Sequence, residues 1–164
     1  MLDALTKLNV PGSSISLRRA TRDDLPAIVR LLIEDPLGRI REAASEAGDF
    51  GPYEAAFAAI DSDPAQLLVV ATEGIEVVAT MQLSFIPGLA RRGALRAQAE
   101  AVRVALSHRS RGLGAAMFQW AIDEARRRGC LIVQLTTDKT RADAHRFYER
   151  LGFTASHEGY KLQL

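Results

Sequence analysis

The spacing of hydrophobic and polar residues in the first part of the chain predicts a strand, a helix and a long connection. Residues 15–19 alternate as a short strand does, and Thr21 with Asp24 resembles a capping box that opens a helix through Ile33. Residues 34–52 hold several glycines and prolines, which indicate a long loop or a broken helix. Loops of this length often carry function, so this segment is a candidate functional region.

The middle of the chain combines one helical pattern with several strand patterns. A helix is predicted near Tyr53–Ile60, and a turn around Gly74 joins two β-type runs, Leu67–Ala71 and Val77–Ile86. The alternation continues without interruption from Gln98 to Leu106, which places even- and odd-numbered residues on opposite sides. This last segment is predicted to be a central strand.

A helical pattern follows. Apolar residues recur at three-and-four spacing between Gly112 and Arg128, and Gly129 is suited to the C-cap. The next run, Leu131–Leu135, is short and typical of a buried strand. A strand, a helix and a second strand are therefore predicted in direct succession.

The C-terminal part is predicted to add one more helix and the final strands. Thr140 with Asp143 resembles a second capping box, for a helix that ends at Gly152. Phe153–Leu164 is expected to supply the last strands. The mixed order of strands and helices predicts an α/β or α+β fold with a mixed sheet.

Composition and charge then narrow the class of protein. With 164 residues, 48% hydrophobic and 25% charged, and no repeat or long linker, the chain is expected to form a single domain over 1–164, in which 1–14 is flexible or strand-like. A net charge of +1 argues against nucleic acid as a partner. The sequence has one cysteine, Cys130, and no signal-peptide or membrane-spanning run, so a cytoplasmic location without membrane attachment is expected.

The segment Arg109–Gly114 connects a predicted strand to a predicted helix through a glycine-rich turn. Such a turn presents unpaired backbone N–H groups beside the positive end of a helix, an arrangement that binds phosphate. Gly112 and Gly114 let the backbone approach a ligand, while Arg109 and Arg111 add positive charge. The alternative is an exposed, arginine-rich loop whose glycines only shape the turn.

These residues resemble the GNAT superfamily of acetyl-CoA-dependent N-acetyltransferases. The pyrophosphate signature of that family reads Arg or Gln, two residues, Gly, one residue, Gly or Ala, and Arg109–Gly114 matches it completely. The strand Glu100–Leu106 precedes the signature, and Phe147–Phe153 is similar to the family's aromatic helix with its Gly-Phe exit. A dinucleotide-binding motif fits less well, because an arginine stands where that fingerprint has its first glycine.

The resemblance implies a mostly antiparallel mixed sheet of about six to seven strands with about four flanking helices. In this fold acetyl-CoA lies between two splayed parallel strands, here Gln98–Leu106 and Leu131–Leu135. Backbone groups of Val102, Arg103 and Val104 would bind the pantetheine arm in the manner of an added strand.

The resemblance also assigns the contacts to the phosphates. The expected pyrophosphate contacts are the N–H groups of Arg109, Ser110, Arg111, Gly112, Leu113, Gly114 and Ala115. Arg141 stands seven residues before a tyrosine, where the family often has an asparagine, and is the candidate for that cofactor contact.

Glu100 is the candidate general base. An alkylamine with a pKa near 10.4 must lose a proton before it attacks a thioester, which costs roughly 4 kcal/mol at pH 7. Glu100 is the one carboxylate between Gln98 and Leu106, and it resembles a glutamate that some family members use at this point of the strand. The alternative is a strand-edge charge that faces water.

Tyr148 matches the tyrosine that many relatives place near the thioester sulfur. A tyrosine is a poor acid toward a thiolate, so we expect it to stabilise the developing negative charge by a hydrogen bond. The alternative is a core residue, because Ala144, Phe147, Tyr148 and Leu151 form a helical stripe.

The other reactive side chains are predicted to have structural or surface roles. His108 and His145 are predicted to be surface or capping residues, and Cys130 a small core residue. No metal is proposed, since no ligand set has the required spacing. The group Arg91, Arg92 and Arg96 is predicted to be a solvated hairpin tip, with binding of an anionic acceptor as the sharper alternative.

The predicted function is transfer of an acetyl group from acetyl-CoA to a primary amine by direct attack in a ternary complex. The acceptor is unidentified and is expected to contact residues 34–52 and the turn near 87–97. A non-catalytic acyl-CoA sensor is the alternative, and a homodimer is possible for such a fold.

Overall fold

The structure is a computed structural model that describes residues 4–34 and 50–164. Its strands are β1 (Ala4–Leu8), β2 (Ile15–Arg19), β3 (Gln66–Glu73), β4 (Glu76–Ile86), β5 (Arg96–Val104) and β6 (Ile132–Leu135). Its main helices are α1 (Leu25–Ile33), α2 (Gly51–Ser62), α3 (Leu113–Arg127) and α4 (Ala142–Arg150). The described part groups into two compact units, one that ends at Gln134 and one that comprises Leu135–Leu164.

The strands form one six-stranded sheet in the order of the sequence, β1 to β6. Neighbours from β1 to β5 are antiparallel, whereas β5 and β6 are parallel. The parallel pair begins where the Leu131 amide donates to the Leu95 carbonyl at 2.9 Å. The predicted mixed, mostly antiparallel fold is therefore confirmed. Within the N-terminal segment, Ala4–Leu8 forms β1.

The two faces of the sheet are covered by different helices. On one face, α1 contributes Ile28 and Leu31 to a cluster with Val70, Val77 and Ala105. Later in the same unit, α3 buries an apolar stripe: Leu113, Met117, Phe118, Ala121 and Ala125. Full burial of each large side chain stabilises the fold by about 1.5–3 kcal/mol, so the apolar faces of α1 and α3 are major parts of the core.

The connection from β2 to α1 contains the predicted capping box. Asp24 accepts a hydrogen bond from the Thr21 amide at 2.7 Å and two from the Arg18 guanidinium, each at 2.7 Å. A short 3-10 turn, Arg22–Asp24, leads into the helix. Burial opposes the charged form of Asp24, but the hydrogen bonds from Arg18 and Thr21 outweigh it, so the pKa of this carboxyl lies below its usual value.

The predicted uninterrupted alternation of the central strand is wrong. Ala101 has φ 49°, and the register of the ladder shifts there. Glu100 pairs with Gln82 and Arg103 pairs with Thr80, so three residue steps along β5 lie opposite two along β4. One extra residue in a strand forms a β-bulge, which changes the face that later side chains occupy. The strand also ends earlier than predicted, so Leu106 lies in a 3-10 turn with 61% exposure.

Two further predictions about strands are wrong. Leu131 is 74% exposed and β6 is only half-buried, since β6 is the last strand of the sheet and has one paired edge. Residues 153–164 contain no strand, and Tyr160 and Leu162 are 90% and 86% exposed. Alternating apolar residues form a strand only where a neighbouring strand accepts their hydrogen bonds.

The second predicted capping box is also wrong. The amide and hydroxyl of Thr140 both donate to Asp138, at 3.0 and 2.7 Å, and α4 begins after Arg141 without a side-chain cap. Asp138 thus accepts the hydrogen bond from the Thr140 amide that a capping box would give to Asp143. Asp side chains near the start of a helix compete in this way for the same backbone donor. The C-terminal end of the helix agrees with the prediction, since Gly152 has φ 88°.

The predicted long connection falls largely on residues 35–49, which lie outside the described residues. The next helix, α2, begins at Gly51. None of the helices in the described ranges is long and apolar enough to span a membrane.

Candidate cofactor and catalytic site

A left-handed turn joins β5 to α3. After the 3-10 turn Leu106–His108, Ser110 has φ 59° and Gly112 has φ 88° at the N-cap of α3. A residue with a Cβ is strained in this conformation, so the glycine at the N-cap follows from the backbone geometry. A Cβ built on Gly112 meets no atom within 4 Å, and the backbone is therefore open to a ligand on that side.

The amides at the start of α3 point out of the helix. The first helical hydrogen bond runs from the Ala116 amide to the Gly112 carbonyl at 3.0 Å, so Leu113, Gly114 and Ala115 have no acceptor within α3. Unpaired N–H groups at a helix N-terminus bind anions through both hydrogen bonds and the helix dipole. The turn therefore has the geometry of an anion-binding site.

Both arginines of the signature hold the turn to neighbouring segments. Arg109 Nε donates to the Val104 carbonyl at 3.0 Å, and Arg111 Nη2 donates to Ser13 Oγ at 2.9 Å. Both side chains remain exposed. The turn thus has a defined shape and carries two positive charges beside the helix N-terminus.

His108 is buried, with 7% exposure, so its prediction as a surface or capping residue is wrong. Its Nε2 lies 3.1 Å from Glu73 Oε2, and its Nδ1 lies 2.8 Å from Ser107 Oγ. The hydrogen bond from His108 holds the pKa of the Glu73 carboxyl below its usual value, and the charge of Arg111 acts in the same direction. This contact joins residues 35 apart in sequence, and no local pattern indicates it.

The carbonyls of β5 after the bulge already accept side-chain hydrogen bonds. Arg103 Nη1 donates to the Val102 carbonyl at 2.8 Å, and Val104 accepts from Arg109 as described. A carbonyl oxygen can accept a second hydrogen bond, so these groups stay available to a ligand. Binding of pantetheine by Val102, Arg103 and Val104 stays a prediction.

Glu100 lies on β5 just before the bulge, and its side chain is exposed. In the ladder it stands opposite Gln82 of β4. The strand before the bulge is regular, with Ala97 and Ala99 buried on the other face. An exposed carboxylate on a rigid strand can accept a proton from a bound amine or from a water molecule.

Tyr148 belongs to the second unit, on α4. Its ring makes edge contacts with Phe147 and Phe153, with centroids 5.2 and 6.0 Å apart. The ring is half-buried and packed, and its role near the thioester sulfur stays a prediction. In the same unit, the backbone of Arg141 forms the N-cap of α4, and its amide donates to the Asp138 carbonyl at 3.1 Å.

The remaining candidates take structural positions. Burial raises the pKa of the Cys130 thiol, which disfavours a nucleophilic thiolate. His145 Nε2 lies 3.0 Å from the Asp138 carbonyl, a local contact near the start of α4. Arg91 and Arg92 are exposed, with φ of 55° and 62°. Among residues 4–34 and 50–164 there is no group of three or more side chains that could hold a metal ion.

Comparisons with known proteins agree with this geometry. The model of the acetyltransferase (GNAT) family matches residues 26–153. The chain is 30% identical over 141 residues, 86% of each chain, to an aminoalkylphosphonate N-acetyltransferase of Salmonella typhimurium.

Solved structures extend the likeness to the fold. A structure titled as a transcriptional regulator from Bacillus halodurans is 44% identical, with a TM-score of 0.87 over 92% of this chain and 99% of the other. A putative acetyltransferase from Agrobacterium tumefaciens is 30% identical, with a TM-score of 0.73 over 91% of this chain and 99% of the other.

Proposed function

The chain belongs to the acetyltransferase (GNAT) family, and from this premise we propose that it transfers the acetyl group of acetyl-CoA to a primary amine of a small molecule or peptide. The observation that carries the proposal is the left-handed turn at Gly112 with the open N-terminus of α3 behind it. This geometry is suited to a pyrophosphate and follows directly on the strand that holds Glu100.

The signature turn would hold acetyl-CoA by its phosphates. Backbone N–H groups from Arg109 to Ala115 would donate hydrogen bonds, and Arg109 and Arg111 would add positive charge. Val102, Arg103 and Val104 would bind the pantetheine arm through their backbone. When bound, acetyl-CoA supplies an acetyl thioester, and the reaction needs no covalent enzyme intermediate, because the amine can attack it directly.

Glu100 would act as the base, either directly or through a water molecule. The carboxylate takes the proton of the acceptor ammonium, which leaves a neutral nitrogen that can form the new N–C bond. Its exposure allows an acceptor to reach it, and the paired strand β4 holds it in place. A regular strand is a more rigid support for a catalytic group than a loop.

Tyr148 would stabilise the thiolate that leaves when the C–S bond breaks. The hydroxyl donates a hydrogen bond to the sulfur, and the edge contacts with Phe147 and Phe153 hold the ring in one orientation. This role rests on the family resemblance of the segment Phe147–Phe153. Arg141 is proposed as a further cofactor contact on the same basis.

The experiment that tests the proposal measures release of free coenzyme A from acetyl-CoA across a panel of primary amines. The panel includes aminoalkylphosphonates, because a relative is named for that acceptor. Turnover that depends on the amine, with the acetylated product identified by mass spectrometry, supports the enzyme. Tight binding of acetyl-CoA without turnover of any amine would contradict it and favour a sensor.

A further inference from the structure

A row of polar side chains crosses four strands on the face of the sheet that carries Glu100. Gln66, Ser84 and Gln98 stand opposite one another in register on β3, β4 and β5. Ser84 Oγ donates to Gln66 Oε1 at 2.7 Å, and Gln134 Nε2 of β6 donates to Gln98 Oε1 at 2.6 Å. A sheet face that only packs against a helix is apolar, so this row indicates a surface suited to a polar ligand.

Arg96 and Glu100 lie on either side of this row, on the same face of β5. Residues 96, 98 and 100 alternate with Ala97 and Ala99, which are buried on the opposite face. The ladder is regular over this stretch, since the bulge begins after Glu100. The face therefore presents a cation, an amide and a carboxylate in sequence along one strand.

The guanidinium of Arg96 has a buried atom that lacks a partner. Nε is inaccessible to solvent and has no hydrogen-bond acceptor within the described ranges, and the structure shows no ion pair for Arg96 there. Gly88 lies beside the guanidinium, at 3.4 Å from Nη1 to the position a Cβ would take. A half-buried guanidinium whose Nε has no acceptor among the described residues is unfavourable, and an anion bound beside it would remove that cost.

We propose that the acceptor is a small amine that also carries an anionic group, which Arg96 binds while the amine lies at Glu100. This inference rests on the proposed function and names its substrate class. Four residues of strand separate the two Cα atoms by about 13 Å. With both side chains extended toward each other, the gap fits a molecule with only a few atoms between its nitrogen and its anion.

Phosphonate, phosphate and carboxylate share the chemistry that this site requires. Each presents two or more oxygens that an arginine binds in a bidentate manner. The row of glutamines and Ser84 offers further donors and acceptors along the molecule. An amine of the same length without an anionic group gains nothing from Arg96, so the anionic group of the acceptor is the property that the site selects.

The test compares three amines with the same two-carbon spacer: aminoethylphosphonate, β-alanine and ethanolamine, which lacks an anionic group. Values of kcat/KM are measured for the wild type, for Arg96→Gln, and for Arg126→Gln, which removes an exposed charge on α3. We expect the wild type to prefer the anionic amines. Arg96→Gln should raise KM for them about 10- to 100-fold, the effect of one charge-assisted contact, while KM for ethanolamine and acetyl-CoA stays unchanged.

Arg126→Gln is the matched control, because it changes the net charge equally and should keep the preference. The proposal is overturned if ethanolamine is acetylated as well as the anionic amines, or if Arg96→Gln affects all three equally. Differences between aminoethylphosphonate and β-alanine identify which anion the site prefers.

Failure of the proposed function would appear differently, as the absence of turnover with every amine. Calorimetric binding of aminoethylphosphonate then decides the inference: a Kd about tenfold weaker in Arg96→Gln supports it, and equal Kd values overturn it. Thermal unfolding provides a second readout. A structural arginine would lower the Tm when replaced, whereas removal of an unpartnered charge should leave the Tm equal or higher.

Discussion

His108 Nε2 lies 3.1 Å from Glu73 Oε2, and this contact ties the end of β3 to the residue that immediately precedes the Arg109–Gly114 turn. The ring is buried, so its orientation is held on both sides, by Glu73 and by Ser107. The adjacent hydrogen bond from Arg111 to Ser13 holds the turn at its other end. Two contacts between distant segments thus define the shape of the Arg109–Gly114 turn, the proposed phosphate site.

Replacement of Glu73 by Gln should weaken acetyl-CoA binding a few-fold and lower stability in a pH-dependent manner. The pKa of Glu73 is lowered in the folded state, so its stabilising contribution is present above the ordinary carboxyl pKa of about 4.3 and is lost as the pH falls through the lower folded value. Denaturant unfolding at a series of pH values measures this difference. The free energies of unfolding of the wild type and Glu73→Gln should converge at low pH.

Glu76→Gln is the control for this experiment, because Glu76 stands opposite Glu73 in the ladder and is exposed. It should not reproduce the loss of acetyl-CoA affinity. A difference between wild type and Glu73→Gln that stayed constant down to low pH would show that ionisation of Glu73 is not its source.

Gly112→Ala and Gly129→Ala form a matched pair at the two ends of α3. Both glycines have positive φ, 88° and 78°, and a Cβ at either one meets nothing within 4 Å. Each variant should lose about 1–2 kcal/mol of unfolding free energy from left-handed strain. Only Gly112→Ala should also weaken acetyl-CoA binding, by about tenfold or more, in calorimetric titration.

Equal affinities of these two variants for acetyl-CoA would contradict the assignment of the phosphate site to the Arg109–Gly114 turn. Since both variants carry the same backbone strain, a general loss of stability cannot produce a difference between them. The comparison therefore separates the local effect on the ligand from the effect on folding.

Glu100→Gln should lower kcat about 100-fold or more at neutral pH, because the acceptor amine must then lose its proton without a positioned base. The defect should shrink as the pH rises toward the pKa of the amine, near 10.4, where free amine becomes abundant. A pH–rate profile of both proteins measures this. Glu76→Gln is again a suitable control, and a defect that is independent of pH would argue for a structural role of Glu100.

Tyr148→Phe should lower kcat about tenfold or more without a change in KM for acetyl-CoA, since the ring contacts with Phe147 and Phe153 persist. The defect should become smaller with a thioester of an aromatic thiol, whose thiolate needs less stabilisation. Tyr160→Phe is the control, because Tyr160 is 90% exposed and its hydroxyl donates to Glu158, two residues away. An equal defect with both thioesters would exclude the proposed role.

Features of the fold whose physical causes lie within a few residues could be predicted from the amino-acid sequence. The capping box of Thr21 and Asp24, the turn at Gly74 and the helix between Gly112 and Gly129 all follow from local hydrogen bonding or backbone conformation. The proposal that the signature turn binds an anion also rests on local features, because glycine, arginine and a helix N-terminus act at short range.

Contacts between side chains far apart in sequence could be identified only from the tertiary structure. The contact of His108 with Glu73, the bulge at Ala101 and the burial of Arg96 Nε without an acceptor in the described part of the chain depend on sheet register. Side chains far apart in sequence set that register together. For the same reason the strands expected in 153–164 are absent from the structure. A strand requires a neighbour for its hydrogen bonds, and a pattern within one segment does not specify that neighbour.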